Sequence, residues 1–543
     1  MNSLKKVAIL TTVIVGISIS LAFKSDFFEI AKQIEIYTTL FKELNMYYID
    51  EINPAKLNQV AINSMLKSLD PYTNFYDEQG VENAKINAEG QYGGSGLEAE
   101  FKNNKLIVTD LIQDSPAAKS AIYIGDEISS INGIKIDPEQ KEATLSQLKG
   151  LPDAKITLKF IRQNKSFERE LNFTAIIQNP VPYFTLLDNK SGYIVLTKFN
   201  EKAFDKVEEA FLKLKAQGMT QLILDLRGNP GGLLTEAIDI VSLFVPKGSL
   251  VVTTKAKVKE WSDTYRSMKE PLDLAMPLVV LVNGHSASAS EIVAGSLQDL
   301  DRAVIVGTRS YGKGLVQRFR KLTYGTQFKL TISKYYTPSG RNIQELDYTN
   351  GVGDSIPKFS DQKRPEFKTK NGRIIYGGGG INPDINEGES KITKTTEALL
   401  KTDAVFNFAS NYFYKHQAID SASNFSLNQI EFQNFLNAVK GDASFESPVQ
   451  KSFNISQKKA KEANLNIEKA TEKLNELILQ EQTNQLQLNK DEITQALTEE
   501  IIRRYYLEKG IYQYKIQHDK TIKSAQSLLT DAQQYRSILN GNK

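Results

Sequence analysis

The sequence predicts a multidomain α+β chain built around a layered α/β core, and three observations carry that reading. The chain has 543 residues, and at about 100–200 residues per domain it should hold roughly three to four units. From about residue 180 to 390, short apolar runs alternate with helical patterns, the signature of helices packed on a sheet. After about 395 the composition shifts to Lys, Gln, Asn and Glu, with apolar residues kept at helical spacing.

Composition removes several function classes. With 41% hydrophobic and 24% charged residues the chain can bury real cores and is not a disordered tail protein. A formal net charge of +3 is too balanced for an electrostatic nucleic-acid binder, so no nucleic-acid partner is expected. Cysteine is absent, which rules out a thiol nucleophile, a disulfide framework, a Cys-ligated zinc and an acylated lipoprotein cysteine. Only His285, His416 and His518 are present, and no His-Glu-x-x-His string occurs, so no metal site is expected.

The elements follow in chain order. Lys5 and Lys6 precede the uncharged run Val7 to Phe23, which Lys24, Ser25 and Asp26 end. A basic start, an apolar stretch and small residues near Ser20 and Ala22 read as a signal peptide or membrane anchor over 1–24. Residues 25–82 read as a helical hairpin: Ile30, Ile34, Leu40 and Leu44, then Val60, Met65 and Leu69, recur at helical spacing around a break at Asn53-Pro54. Residues 83–175 form a mixed unit. Leu97–Phe101 and Leu106–Val108 read as strands around an Asn103-Asn104 turn, Ser115-Pro116 starts one turn of helix, and Ile156–Ile161 is the last strand. In 176–395 the strands are Tyr193–Leu196, Leu222–Leu226, Leu278–Val282, Val304–Val306 and Phe328–Ile332, with helices at Phe204–Lys215, Leu233–Val245 and Ala289–Leu300. Residues 396–543 read as a helical appendage, striped by Ile467, Ala470, Leu474 and Ile478 and again by Ile522, Ala525 and Leu529.

Three motifs carry chemistry. Asn283-Gly284-His285-Ser286-Ala287-Ser288-Ala289-Ser290-Glu291 joins an apolar strand to a helix, a turn that exposes a hydroxyl and aims helix N-terminal amides at it. Three serines compete there, and taken alone the string is equally a serine-rich cap. His285 is a tempting base, but the last glycine of a nucleophile elbow is missing, and a triad histidine comes from elsewhere in the chain. Lysine is the other base serine can use, provided it is neutral. Lys313 lies in Ser310-Tyr311-Gly312-Lys313-Gly314, where the glycines allow close backbone approach. Asp225-Leu226-Arg227-Gly228-Asn229-Pro230-Gly231-Gly232-Leu233 ends a buried strand, and its paired glycines before a helix suit an oxyanion.

These strings, with Gly312-Lys313-Gly314-Leu315-Val316-Gln317, Tyr335-Tyr336-Thr337-Pro338-Ser339-Gly340 and Gly380-Ile381-Asn382-Pro383-Asp384, stand in the order of the carboxy-terminal processing peptidases (tail-specific proteases), which the chain resembles from about Phe27 to Asp384. The resemblance implies Ser288 as nucleophile, Lys313 as base, Gln317 as a third polar catalytic residue, oxyanion amides from Gly232 and Ala289, and a structural role for Asp299. It implies a ClpP/crotonase-like α/β protease core at 176–395. Ser115–Ala121 followed by Ile124–Gly133 resembles a PDZ domain, making 83–175 an inserted PDZ domain. Its loop Gly93-Gly94-Ser95-Gly96-Leu97 would grip a free carboxylate through successive N–H groups.

The expected function is an exported serine endoprotease that recognises substrate proteins by their free C-terminal tails. The expected compartment is the bacterial periplasm or cell envelope, with anchorage to the inner membrane by residues 7–23 if that segment is uncleaved. No cofactor is expected; an adaptor protein and a homo-oligomer are further candidate partnerships. The alternatives are an inactive PDZ-bearing binding or chaperone protein of the envelope, and, more distantly, an esterase of the hydrolase-elbow type.

Overall fold

The computed structural model describes residues 27–348, 364–388, 392–440, 445–465 and 467–541. The signal or anchor segment lies outside the described residues. Of the described residues, those up to Phe75 belong to one compact unit and those from Tyr76 onward form a second.

In the first unit the expected hairpin is present as a helix over 27–47 and a second, Pro54–Lys67. The second begins where proline should begin a helix: Asn53 caps it by accepting from Lys56 N–H, and Pro54 takes a first-turn position where no N–H is needed.

In the second unit the first layer is an antiparallel sheet ordered Leu97–Lys102, Lys105–Leu111, Glu127–Ile131, Lys155–Arg162, Lys165–Asn172. Asn103 and Asn104 turn the first hairpin with left-handed backbone, which asparagine tolerates. Ser115–Ser120 makes a single turn, closed by Lys119 N–H on the Ser115 carbonyl, and left-handed Ala121 stops it from lengthening. Leu106, Val108, Ile128, Leu158 and Phe160 fill the core of this layer. Strand Leu97–Lys102 pairs only with Lys105–Leu111, so its outer edge is open.

The central sheet is ordered Tyr183–Leu186, Ser191–Val195, Gln221–Asp225, Leu278–Val282, Val304–Gly307, Ile385–Asn386. Its first pair is antiparallel and the rest are parallel. Parallel strands are covered on both faces, which is why they read as unbroken apolar runs. Helices Ala203–Ala216, Leu234–Ser242 and Ala289–Asp299 cover one face. The other face is covered by Ile522, Ala525, Leu528, Leu529 and Tyr535, so the C-terminal helices are a structural layer of the core rather than an appendage. The Tyr535 hydroxyl lies 2.9 Å from the Leu278 N–H and 3.0 Å from its carbonyl. The same helical region also reaches the first layer, through Arg503–Asp110 at 2.8 Å and Lys102–Asp403 at 2.6 Å.

Candidate active site

Because strands Gln221–Asp225, Leu278–Val282 and Val304–Gly307 are adjacent and parallel, the three motifs that follow them emerge at one edge of the sheet. This is where open parallel sheets place their sites. Ser288 ends the middle connection and caps helix Ala289–Asp299 with φ 55° and ψ −112°. That backbone is strained for a non-glycine residue, and it turns the chain sharply between strand and helix. The flanking serines are occupied: Ser286 Oγ donates to the Leu226 carbonyl at 2.8 Å and Ser290 Oγ to the Asn229 carbonyl at 2.9 Å, both buried. Ser288, between them, is half-buried. His285 is an exposed turn residue held by Asn283.

Glu291 organises the site, a role sequence reasoning missed. Its side chain is fully buried. Oε2 accepts from the Ser288 N–H at 2.8 Å and from the Lys313 N–H at 2.9 Å. Oε1 accepts from Gly312 N–H at 2.7 Å and Ser310 Oγ at 2.6 Å. One carboxylate thus ties the backbones of Ser288 and Lys313 together. Burial pushes the Glu291 carboxyl up, against the pull of these four donors. Tyr335 adds a buried hydroxyl that donates to the Ser288 carbonyl at 3.3 Å; burial, and then Glu291, hold its phenol well above the ordinary range.

The glycine turn lies against the serine turn. A Cβ on Gly231 would sit 2.9 Å from both the Ala289 N and the Ser288 Cβ, so only glycine allows this approach. Gly232, at φ +151°, bridges in parallel to Phe199. Neither Gly232 N–H nor Ala289 N–H meets an acceptor among the described residues, as donors reserved for an oxyanion require. Asn229 holds the turn: its side chain donates to the Leu196 carbonyl and accepts from Gly231 N–H.

Behind the turn lies a second unforeseen group. Asp225 accepts from the Tyr193 hydroxyl at 2.8 Å and from Arg227 at 2.7 Å, and Arg227 also pairs with Asp519 of the C-terminal helices at 2.8 Å. Asp225 is fully buried; despite that burial, Arg227 holds its carboxyl below the ordinary range. Gln317 lies on strand Leu315–Lys321, where its amide donates to Thr331 Oγ1 at 3.3 Å rather than to Ser288. Asp299 pairs with Arg341 at 2.8 Å, both fully buried, and accepts from Thr337 and Ser339, a packing role.

In the first layer, the carbonyls of Gly93, Ser95 and Gly96 accept from Gly150, Ala117 and Ile112. Gly96 N–H meets no acceptor among the described residues, whereas Ser95 N–H faces the Leu148 carbonyl across the antiparallel Gly94–Lys149 bridge. They lie at the start of Leu97–Lys102, the open-edged strand. A Cβ on Gly93 would fall 1.9 Å from the Gly150 carbonyl. The Ser95 side chain is buried. Lys149 stands over the Tyr92 ring at 5.5 Å beside the loop.

Comparison with known proteins agrees with this layout. Residues 190–353 match peptidase family S41, residues 80–161 a PDZ domain, and residues 395–529 the C-terminal helical domain of probable PDZ-proteases. The chain is 36% identical over 329 residues to a carboxy-terminal-processing protease of Bartonella bacilliformis, covering 59% of this chain and 75% of that protein. It is 32% identical over 323 residues to a probable CtpA-like serine protease of Staphylococcus aureus, covering 59% of this chain and 64% of that protein. Among solved structures, the photosystem II D1 C-terminal processing protease is similar at 26% identity and a TM-score of 0.34, over 58% of this chain and 90% of that one.

Proposed function

Since the chain belongs to peptidase family S41 with the carboxy-terminal-processing proteases, and is thus a serine protease carrying a PDZ domain, we propose that it cleaves by a Ser288–Lys313 dyad. Ser288 Oγ attacks the scissile carbonyl carbon as neutral Lys313 takes its proton. The Gly232 and Ala289 amides hold the oxyanion. On collapse the C–N bond breaks, Lys313 returns the proton to the leaving amine, and an ester to Ser288 remains. Water then attacks that ester, again giving its proton to Lys313, and Ser288 reclaims a proton as the C–O bond breaks. Gln317 is the third polar residue of this scheme, although its amide is turned toward Thr331. The observation that carries the reading is the single Glu291 oxygen holding both Ser288 and Lys313 main chains.

Substrates are proteins with a free C-terminal tail, taken by the Gly93–Leu97 loop with the tail added as a strand to Leu97–Lys102. The Val7–Phe23 run exports the protein to the cell envelope, cleaved or kept as an anchor. The dyad is tested with a fluorogenic peptide and a serine-directed activity probe. Wild type should cleave and label; Ser288→Ala should do neither, and Lys313→Ala should lose turnover while staying folded. Labelling that survives Ser288→Ala would refute the assignment.

A further inference from the structure

Two loops leave the second sheet of the core at one end. Strands Leu250–Ala256 and Leu315–Lys321 both run antiparallel to Gln327–Tyr336, so they point the same way; Ala256 pairs with Ser333 and Lys321 with Gln327, so the 322–326 loop stands farther along, while the 257–263 loop reaches the Leu315–Lys321 strand through Trp261. Lys257, Lys259, Arg318, Arg320, Lys321 and Lys329 gather there, and none pairs with a carboxylate among the described residues. Acids at this end include Glu260, Asp263 and Glu78, whose side chain lies beside Gly325. Farther up the sheet Lys255 and Lys334 stand directly opposite each other, a like-charge pairing that costs stability. Exposed apolar side chains stand among the cations at the loops: Val258 is 39% exposed, Leu322 47% and Tyr324 89%, while Phe319, on the other strand face from Arg318 and Arg320, packs with Lys329 against Tyr76. Trp261, the only tryptophan in the chain, lies under Arg318 and Arg320 at 5.7 and 5.6 Å.

We propose that this end of the sheet docks on an anionic phospholipid surface. An acidic polypeptide or a nucleic acid would satisfy the cations but leave Val258, Leu322 and Tyr324 in water. A lipid surface takes both: headgroups neutralise the Lys and Arg ends while apolar tips and the indole enter the interface. The partner is defined by headgroup charge, and the docking is separate from any anchorage by Val7–Phe23, which every protein in the test retains.

Trp261 reports the contact directly. Its emission should shift to the blue with phosphatidylglycerol vesicles, should not shift with phosphatidylcholine vesicles, and should return at high salt. Arg318→Ser/Arg320→Ser should weaken partitioning about twenty-five-fold, at about fivefold per cation near an anionic surface, with cleavage of a short soluble peptide unchanged. Because those arginines touch the indole, Lys257→Ser/Lys259→Ser provides a second variant with the same expected loss. The proposal is overturned if the shift is absent, is equal for both vesicle types, or survives both double variants. It is also overturned if polyglutamate gives the shift and vesicles do not, which would assign the surface to acidic polypeptides.

Discussion

Removing the Glu291 carboxylate is the sharpest probe of the site. Glu291→Ala takes the acceptor from three backbone N–H groups, Ser288, Gly312 and Lys313, and from the Ser310 hydroxyl. Each buried N–H left unpaired costs about 1–3 kcal/mol. Three together rival a sizeable part of a total stability of about 5–15 kcal/mol, so the turn should rearrange rather than hold its place. Glu291→Gln behaves differently. Its single oxygen can still take Ser288 and Lys313 N–H, its NH2 can donate to Ser310 Oγ, and only Gly312 N–H loses its acceptor. A displacement of about 1 Å between reacting groups costs on the order of 100-fold in rate, which is the expected fall in kcat for Ala. Gln should lose about tenfold or less, with KM little changed in both. The assay is kcat and KM on a short fluorogenic peptide, with thermal unfolding alongside. Equal inactivity of Gln and Ala, or an Ala variant at wild-type kcat, would refute the clamp. The pH dependence has a definite sign: a carboxyl raised by burial binds its proton more tightly in the fold than in the unfolded chain. Its contribution to stability therefore falls as pH climbs from the ordinary glutamate range through the raised value, and Glu291→Gln should flatten that slope in pH-dependent unfolding.

Lys313→Arg should be as inactive as Lys313→Ala, because guanidinium does not give up its proton, while His285→Ala should keep most peptidase activity; the reverse pattern in the same assay would remove the dyad. Gly232→Ala would place a Cβ 2.2 Å from the Phe199 carbonyl, so the turn must shift and carry the Gly232 N–H off the oxyanion, which should cut kcat by about 100–1000-fold, with thermal unfolding measured alongside. Amidating a substrate's terminus should slow cleavage at an unchanged, distant scissile bond, since it removes the charge that strengthens hydrogen bonds to free loop amides such as Gly96 N–H; equal rates for free and amidated tails below saturation would demote the loop. Tyr535→Phe removes both hydrogen bonds to Leu278 and should lower stability by about 1–3 kcal/mol with kcat intact, measured by denaturant unfolding.

The central strands and helices could be read from the sequence because parallel strands buried on both faces leave unbroken apolar runs, and the observed Leu278–Val282 and Ala289–Asp299 fall within a residue of the expected bounds. The three chemical turns were legible for the same reason: each follows such a strand. What the sequence hides is pairing across distance. Glu291 stands third after a cap serine, which reads as a local capping box, and nothing in the string shows that Ser310, Gly312 and Lys313 come to the same carboxylate. Asp519 lies nearly three hundred residues beyond Arg227, at a helix start that looks like any other N-cap. The second face of the central sheet was equally hidden: the stripe of Ile522, Ala525 and Leu529 shows that the helix buries one side, but not that the sheet is what it buries against.

The open edge of strand Leu97–Lys102 carries a liability as well as a use. Unpaired edge N–H and C=O groups that accept one tail can equally accept the same edge of another copy, the start of edge-to-edge aggregation. Glu98 and Glu100 are exposed along this strand. In an antiparallel pairing of two copies centred between them, Glu98 of each would face Glu100 of the other, and like charges directly opposite repel. The strand is thus open to a short foreign tail and closed to itself, which lets the protein keep a bare sheet edge without pairing two copies through it.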